Sequence, residues 1–231
     1  MAERSYNQFC PLAMAAQILC GRWTLLILRE LFMGSGRFND LRRGLPRISP
    51  ALLSSRLKEL EAAGVVARAA AGRREGVEYR LTEAGRELFP IVQGVGAWGQ
   101  RWVSTEATLK SLDADLLMWD IRRNINPEPR PARRTTIQFA FPDAPKAQQT
   151  YWLVLAPGEE PDLCKIDPGF EVDLWVVADL RTMTEVWLGY TRLQAAKDEG
   201  RLTLAGDRWA ERSLSAWLKL SMLAQVEKQV T

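Results

Sequence analysis

The sequence predicts an α+β chain of two domains, a helical unit closed by a β-hairpin followed by a five-stranded sheet covered by helices. Three observations predict it. Apolar residues recur at helical spacing through most of the first hundred positions. The segment NPEPRPARR, with Pro127, Pro129 and Pro131, excludes both helix and central strand and marks a boundary. Beyond it, runs such as TTIQFAF and TYWLVL are rich in the β-branched and aromatic residues that strands favour. A chain of 231 residues has room for two ordinary domains. The expected division is 1–105, a connecting helix and Pro-rich linker at 106–130, and 131–231.

The first helix starts after Pro11 and carries Leu12, Ala15, Ala16 and Leu19 to a stop at Gly21. A second repeats Trp23, Leu26, Ile27, Glu30 and Leu31 and ends at Gly34-Ser35-Gly36. A two-turn helix spans Arg37 to Arg43. Ser49-Pro50 is a helix-start signal, because the hydroxyl accepts from an early backbone N–H and proline at the first position gives up a donor orphaned anyway. That helix runs to Ala63, with Gly64 as its stop. At 100° per residue Leu53, Leu57 and Leu60 share one side, Ala51, Ser55 and Lys58 the opposite one, and Ser54 lies on the flank.

Val65 to Arg68 and Val77 to Leu81 read as two strands of a hairpin whose tip carries Arg73 and Arg74. A helix follows from Thr82 to about Val103, and another from Glu106 to Ile125 joins the halves without a glycine hinge. In the second half, strands are expected at Thr135–Phe141, Thr150–Leu155, Asp162–Ile166, Phe170–Val177 and Arg201–Leu204. Helices are expected at Thr182–Tyr190, Arg192–Glu199 and Asp207 to about Lys228. Strands preceding helices argue for α+β rather than a βαβ array.

Composition narrows function. Histidine is absent, which removes imidazole nucleophile pairs, His metal ligands and His acid–base steps. Cys10, Cys20 and Cys164 form no CxxC, so neither a disulfide framework nor a zinc site is expected. Asp167-Pro168-Gly169 is a turn signature, and strand alternation puts Glu171 and Asp173 toward solvent, which argues against a catalytic carboxylate set. No enzyme activity, metal or cofactor is expected. The N-terminus MAERSYNQFC lacks the apolar stretch of a secretory signal and no apolar run is long enough to span a bilayer, so a cytoplasmic location without a membrane partner is expected.

Charge is uneven along the chain. Residues 1–100 hold 14 Lys+Arg against 9 Asp+Glu, a net of +5, whereas 101–231 hold 17 against 19, a net of −2. The basic half points to an anionic polymer as partner. Three helices, a helix with a small polar outer face and a basic-tipped hairpin form the layout of a winged helix-turn-helix, whose second helix enters the DNA major groove. Ser49, Ser54 and Ser55 suit phosphates or base edges, Ala51 a thymine methyl, and Lys58 a phosphate. Arg37, Asn39, Arg42 and Arg43 suit backbone contacts from the preceding helix, and Arg73 and Arg74 suit a groove or phosphate. Each has a plainer reading: Ser49 as a helix cap, Arg42 and Arg43 as a solvated face, Arg73 and Arg74 as a soluble turn.

Several motifs in order sharpen this reading. They are Cys10-Pro11, Gly21-Arg22-Trp23 with Leu26 to Leu31, Gly36-Arg37-Phe38-Asn39-Asp40-Leu41, Ile48-Ser49 with Leu53 and Arg56 to Glu61, and Val77 to Gly85. Residues 8 to 103 thereby resemble the HxlR-type branch of MarR-like transcription regulators. The resemblance implies double-stranded DNA as partner, and at the Cys-Pro position some members use the thiol as a redox sensor, which makes Cys10 a candidate beside plain buried packing. Cys20 is expected in the core. The apolar faces of the first helix and of the helix bearing Ile91, Val95, Trp98 and Trp102 exceed what so small a domain needs, and a homodimer is expected.

The second half is similar to the sterol-carrier-protein fold in Tyr151 to Leu155, Asp162-Leu163-Cys164, Asp167 to Asp173, Val186 to Gly189 and Leu204-Ala205-Gly206-Asp207. That resemblance implies an apolar tunnel between sheet and helices and a small apolar or lipid-like ligand, with Trp152, Trp175 and Trp187 as candidate lining residues. Two alternatives stand beside ligand sensing: a domain serving only dimerisation or protein interaction, and a lipid carrier.

Overall fold

The computed structural model describes residues 5–70, 77–126 and 131–230 and divides into two compact units, Met1–Gly96 and Ala97–Thr231. The first contains helices α1 (Pro11–Leu19), α2 (Thr24–Phe32), α3 (Phe38–Gly44) and α4 (Pro50–Ala62), strands β1 (Val66–Ala70) and β2 (Val77–Leu81), and helix α5 (Glu83–Glu87). Helix α6 (Phe89–Trp102) follows. The single helix expected over 82–103 is thus two, broken at Leu88 just before Pro90, which has no N–H to carry a ladder through. Ile27, Leu28, Leu41, Leu53, Leu57, Leu60, Val65 and Val66 form the core of this unit.

Strands β1 and β2 are antiparallel, Val66 opposite Leu81 and Ala70 opposite Val77. Thr82 secures their base: its backbone N–H donates to the Val65 carbonyl, its hydroxyl donates to the Gly64 carbonyl at 2.6 Å, and its Oγ1 accepts from Gly85 N at 3.1 Å. The α2–α3 pair is pinned by a buried carboxylate. Glu30 is wholly buried, ion-paired to Arg29 at 2.6 Å, and Arg29 also donates to the Gly44 carbonyl at 3.1 Å. Gly44 packs so closely on Glu30 that a Cβ there would stand 1.8 Å from Glu30 Oε2 and displace the carboxylate.

The second unit is built from α7 (Thr105–Leu109), α8 (Ala114–Arg123), β3 (Thr135–Ala140), β4 (Thr150–Leu155), β5 (Asp162–Cys164), β6 (Leu174–Ala178), α9 (Leu180–Leu188), α10 (Leu193–Asp198), β7 (Leu202–Gly206) and α11 (Arg208–Trp217). The sheet order is β5-β4-β3-β6-β7, with β3 and β6 parallel and the remaining pairs antiparallel. One sheet face, with Ile137, Phe139, Tyr151, Leu153, Leu174 and Val176, packs against Met118 and Ile121 of α8, Met183 and Trp187 of α9, and Leu214 and Trp217 of α11.

Three expectations are corrected here. The continuous helix from Glu106 to Ile125 is instead α7 and α8, separated because Asp113 accepts from Leu116 N at 3.1 Å and starts a new helix. Leu109, Ala114, Leu117, Met118 and Ile121 are buried, so this stretch is core of the second unit rather than a free connector. The last helix ends at Trp217, where Leu218 turns extended and bridges to Ile125. Lastly, Asp173 does not face solvent: its largely buried carboxylate accepts from Thr136 N at 2.8 Å and pairs with Arg133 at 2.7 Å, so it has a structural role, while Glu171 is exposed.

A polar cluster joins α8 to the sheet edge. The Asp115 carboxylate accepts from the Tyr151 hydroxyl at 2.7 Å and from Gln148 at 3.0 Å, and pairs with Lys165 at 2.7 Å. Burial acts to raise the Asp115 pKa, but these three donors outweigh it and hold the acid below its ordinary value of 3.8. Burial together with Asp115 pushes the Tyr151 phenol well up, so it remains a donor. Because the folded pKa of Asp115 lies below the unfolded one, its stabilisation is fully present above the unfolded value and is lost as pH falls through the folded value. Urea unfolding at pH 6 and pH 3 should show the wild type losing more stability on acidification than Asp115→Asn; equal losses would refute the assignment.

Candidate nucleic-acid interface

Helix α4 owes its start to Ser49, whose Oγ accepts from Leu52 N at 3.2 Å, and to Pro50 at the first position. Its end follows from Gly64 at φ +71, a left-handed conformation that glycine adopts without strain. Leu53, Leu57 and Leu60 point into the core, and Ala51, Ser55, Lys58 and Glu59 are exposed on the other side. Ser54 is half-buried on the flank. The face read from helical angles is therefore the free face of the folded helix. Ser49 is exposed as well, but its oxygen serves as the cap.

On α3 and at its start, Arg37, Asn39, Arg42 and Arg43 are all exposed, with Arg43 paired to Asp40 at 3.0 Å. The hairpin is held to this region by Tyr79 N donating to the Gly36 carbonyl at 2.8 Å. Arg73 and Arg74 lie outside the described residues. Three exposed residues of this surface were not singled out from sequence. Arg47 sits in the turn before α4, Arg68 on β1 stacks over Tyr79 at 5.8 Å, and Glu59 lies one turn beyond Ser55. Helical arithmetic alone would have found Glu59, four residues after Ser55 on the same face.

Of the cysteines, Cys10 is exposed at the N-cap of α1 and is not packed within its own chain, and Cys20 is exposed at the other end, contrary to a core position. The physical reason is common to both: of all α1 residues only Ala13 is buried, and Leu12, Met14 and Ile18 face outward. Cys164 is half-buried, and burial with the neighbouring Asp162 pushes its thiol up, away from nucleophilic behaviour.

In the second unit the three candidate tryptophans separate. Strand register sets Cys164, Trp152, Gln138, Trp175 and Ala205 in one row across the sheet, on the face opposite the helices. Trp187 belongs to the packed core on the helix side. Trp152 and Trp175 are brought together, and Trp187 is not part of their surface. Among the described residues no group of His, Cys, Asp and Glu could hold a metal ion, and no single helix is long and apolar enough to cross a membrane.

A capped helix with one free polar face, a supporting basic helix and an antiparallel hairpin anchored beside them define a winged helix-turn-helix of the DNA-binding class. The HxlR-like helix-turn-helix family profile matches residues 18–107. The HTH-type transcriptional regulator YvaP of Bacillus subtilis is 39% identical over 99 residues, which cover 42% of this chain and 92% of that protein. The regulator sll1512 of Synechocystis is 36% identical over 107 residues, 46% of this chain and 79% of that one. Among solved structures, the redox regulator HypR in its reduced form is 37% identical with a TM-score of 0.37 over 39% of this chain and 91% of its own. The reduced transcriptional regulator YodB of B. subtilis is 35% identical with a TM-score of 0.37, over 42% and 96%. The chain belongs to the HxlR-like helix-turn-helix family and is a DNA-binding transcriptional regulator.

Proposed function

We propose that this regulator acts as a homodimer that lays α4 in the major groove of an operator, with Ala51, Ser54, Ser55 and Lys58 toward the DNA and Arg37, Asn39, Arg42 and Arg43 positioning the backbone. The observation that carries this reading is the single exposed face of α4, flanked by the exposed cations of α3. Dimerisation rests on unburied apolar surface: Leu12 is 77% exposed on α1, and Ile91, Val95, Trp98 and Trp102 form an exposed stripe along α6. A two-fold pair would present two recognition helices about 34 Å apart. Sedimentation should give a dimer at micromolar concentration and a monomer for Leu12→Glu with Val95→Glu; a monomeric wild type would refute it.

Replacing Arg42 and Lys58 by Ala removes two phosphate partners in this reading. The slope of log affinity against log salt should then fall by about 0.9 for each contact, on cognate and random duplexes alike. An unchanged slope would show that neither residue meets the backbone.

For the second unit we propose a sterol-carrier-like domain that takes a small apolar effector. The layer where a tunnel would run contains buried Phe139, Tyr151, Met183, Trp187, Leu214 and Trp217, so the reading shifts to the open sheet face. There Trp175 is 41% exposed and lies two strands, roughly 10 Å, from Trp152. The same open face also favours a protein-interaction module. Titration with flat apolar compounds, followed by Trp emission in wild type and Trp175→Phe, separates the two. Quenching that needs Trp175 and changes operator affinity supports an effector site, since a ligand shifts DNA binding only through a preference between conformations. No saturable quenching leaves the interaction surface.

A further inference from the structure

The free face of α4 carries an acid among its polar groups, which is unusual for a surface that meets DNA. Glu59 is held in place from below. Arg56 is buried beneath it and ion-pairs with the Glu59 carboxylate, and Arg56 Nε donates to the Arg22 carbonyl at 3.1 Å. The guanidinium packs on Gly21, where an added Cβ would stand 3.3 Å from Arg56 Cζ. The cation that pairs with Glu59 is thus fixed to the α1–α2 turn, while the carboxylate itself is half-exposed.

Glu59 in turn commits its neighbour. Ser55 Oγ donates its one proton to Glu59 Oε1 at 3.2 Å. A serine hydroxyl normally reads donors and acceptors alike, because its proton can rotate to suit. With the proton engaged, Ser55 offers only lone pairs outward, and the charged carboxylate has no proton to offer at all. Both exposed groups therefore require a hydrogen-bond donor from whatever they face.

In the major groove the base donors are the exocyclic amino groups, N4 of cytosine and N6 of adenine, whereas guanine O6 and N7 and thymine O4 are acceptors. We propose that the Ser55–Glu59 pair is a specificity-determining element that selects an amino-bearing base, cytosine or adenine, on the contacted strand and rejects guanine and thymine there. The repulsion between a carboxylate and a carbonyl or ring-nitrogen acceptor supplies the rejection, and the hydrogen bond to a charged acceptor supplies the selection. This inference rests on α4 being the groove helix.

The test uses the full-length protein. Bound sequences are first selected from a randomised duplex library by wild type, Ser55→Ala, Glu59→Gln and Glu59→Ala. In the best wild-type site, each adenine is then replaced by purine and each cytosine by pyrimidin-2-one, which lack only the amino group. One or two adjacent positions per half-site should be cytosine or adenine, and loss of the amino group there should weaken wild-type binding about 10-fold. In Ser55→Ala the penalty at its position should vanish while other positions keep theirs. Glu59→Ala frees the Ser55 proton and should admit guanine or thymine; Glu59→Gln, whose amide both donates and accepts, should lose the discrimination while retaining the partner of Arg56. Guanine or thymine preferred by the wild type at the positions sensitive to Ser55→Ala would overturn the proposal. So would an amino-group penalty equal in wild type and all three variants. A wild type that enriches no sequence would instead remove the groove-helix reading itself, and the proposal with it.

Discussion

Gly85→Ala should destabilise the winged-helix unit by about 3 kcal/mol or more, a shift of roughly 10 °C or more in its melting temperature. Gly85 is buried in α5, and a Cβ there would stand 2.1 Å from the Val65 carbonyl oxygen. That oxygen is not free to retreat, because it accepts the Thr82 backbone N–H at 3.1 Å and lies 3.2 Å from the Thr82 hydroxyl. The methyl must therefore break the junction that anchors the hairpin to α5. Against a typical domain stability of about 5–15 kcal/mol the loss is large. Amide exchange in β1 and β2 should accelerate, and operator binding should weaken at temperatures where the wild type is folded. A variant that melts with the wild type would show that the carbonyl can move away at small cost.

Trp217→Ala should cost the second unit about 3–5 kcal/mol. Its side chain is among the largest fully buried in the protein and meets Trp209 edge-on, with ring centroids 5.4 Å apart. The Trp217 carbonyl also accepts from Asn126 N at 2.8 Å, so the residue stands where the chain leaving α8 meets the end of α11. The near-UV signal of the Trp pair should disappear and the urea midpoint should fall. Trp175→Ala is the control: at 41% exposed on the open sheet face it should cost clearly less than Trp217→Ala, because less of its apolar area is withdrawn from water. If the two substitutions cost the same, the assignment of helix-side core and open face is wrong.

The functional consequence of the two-unit architecture depends on where coupling could run. The stretch between Glu106 and Ile125, expected from apolar spacing to be one rigid rod, is instead two short helices folded into the core of the second unit. Helical periodicity could not show the break, because Leu109, Leu112 and Leu116 keep nearly helical spacing across it. What breaks it is a local competition: Asp113 gains more by capping a new helix than by continuing the old one. The stretch from 106 to 125 is therefore part of the core of the second unit and not one continuous helix between the halves.

What sequence alone determined is what depends on short-range chemistry. The Ser49-Pro50 start and Gly64 stop of α4, its apolar and polar sides, the hairpin strands and the separation into a helical half and a sheet half all follow from capping, backbone preference and periodicity. These act within a few residues, and the structure bears them out. Only the tertiary structure decided what depends on which surfaces meet. It set Trp187 in the core and Trp152 with Trp175 on the other side of the sheet, because register and sheet order are long-range choices that leave no local mark. It left Cys10 and Cys20 exposed, since α1 buries almost nothing within its own chain. And it joined Arg22, Arg56, Glu59 and Ser55 into one chain of polar contacts, in which the Arg22–Arg56 contact links residues 34 apart in sequence and the Ser55 hydroxyl donates to Glu59, a link that no local pattern shows.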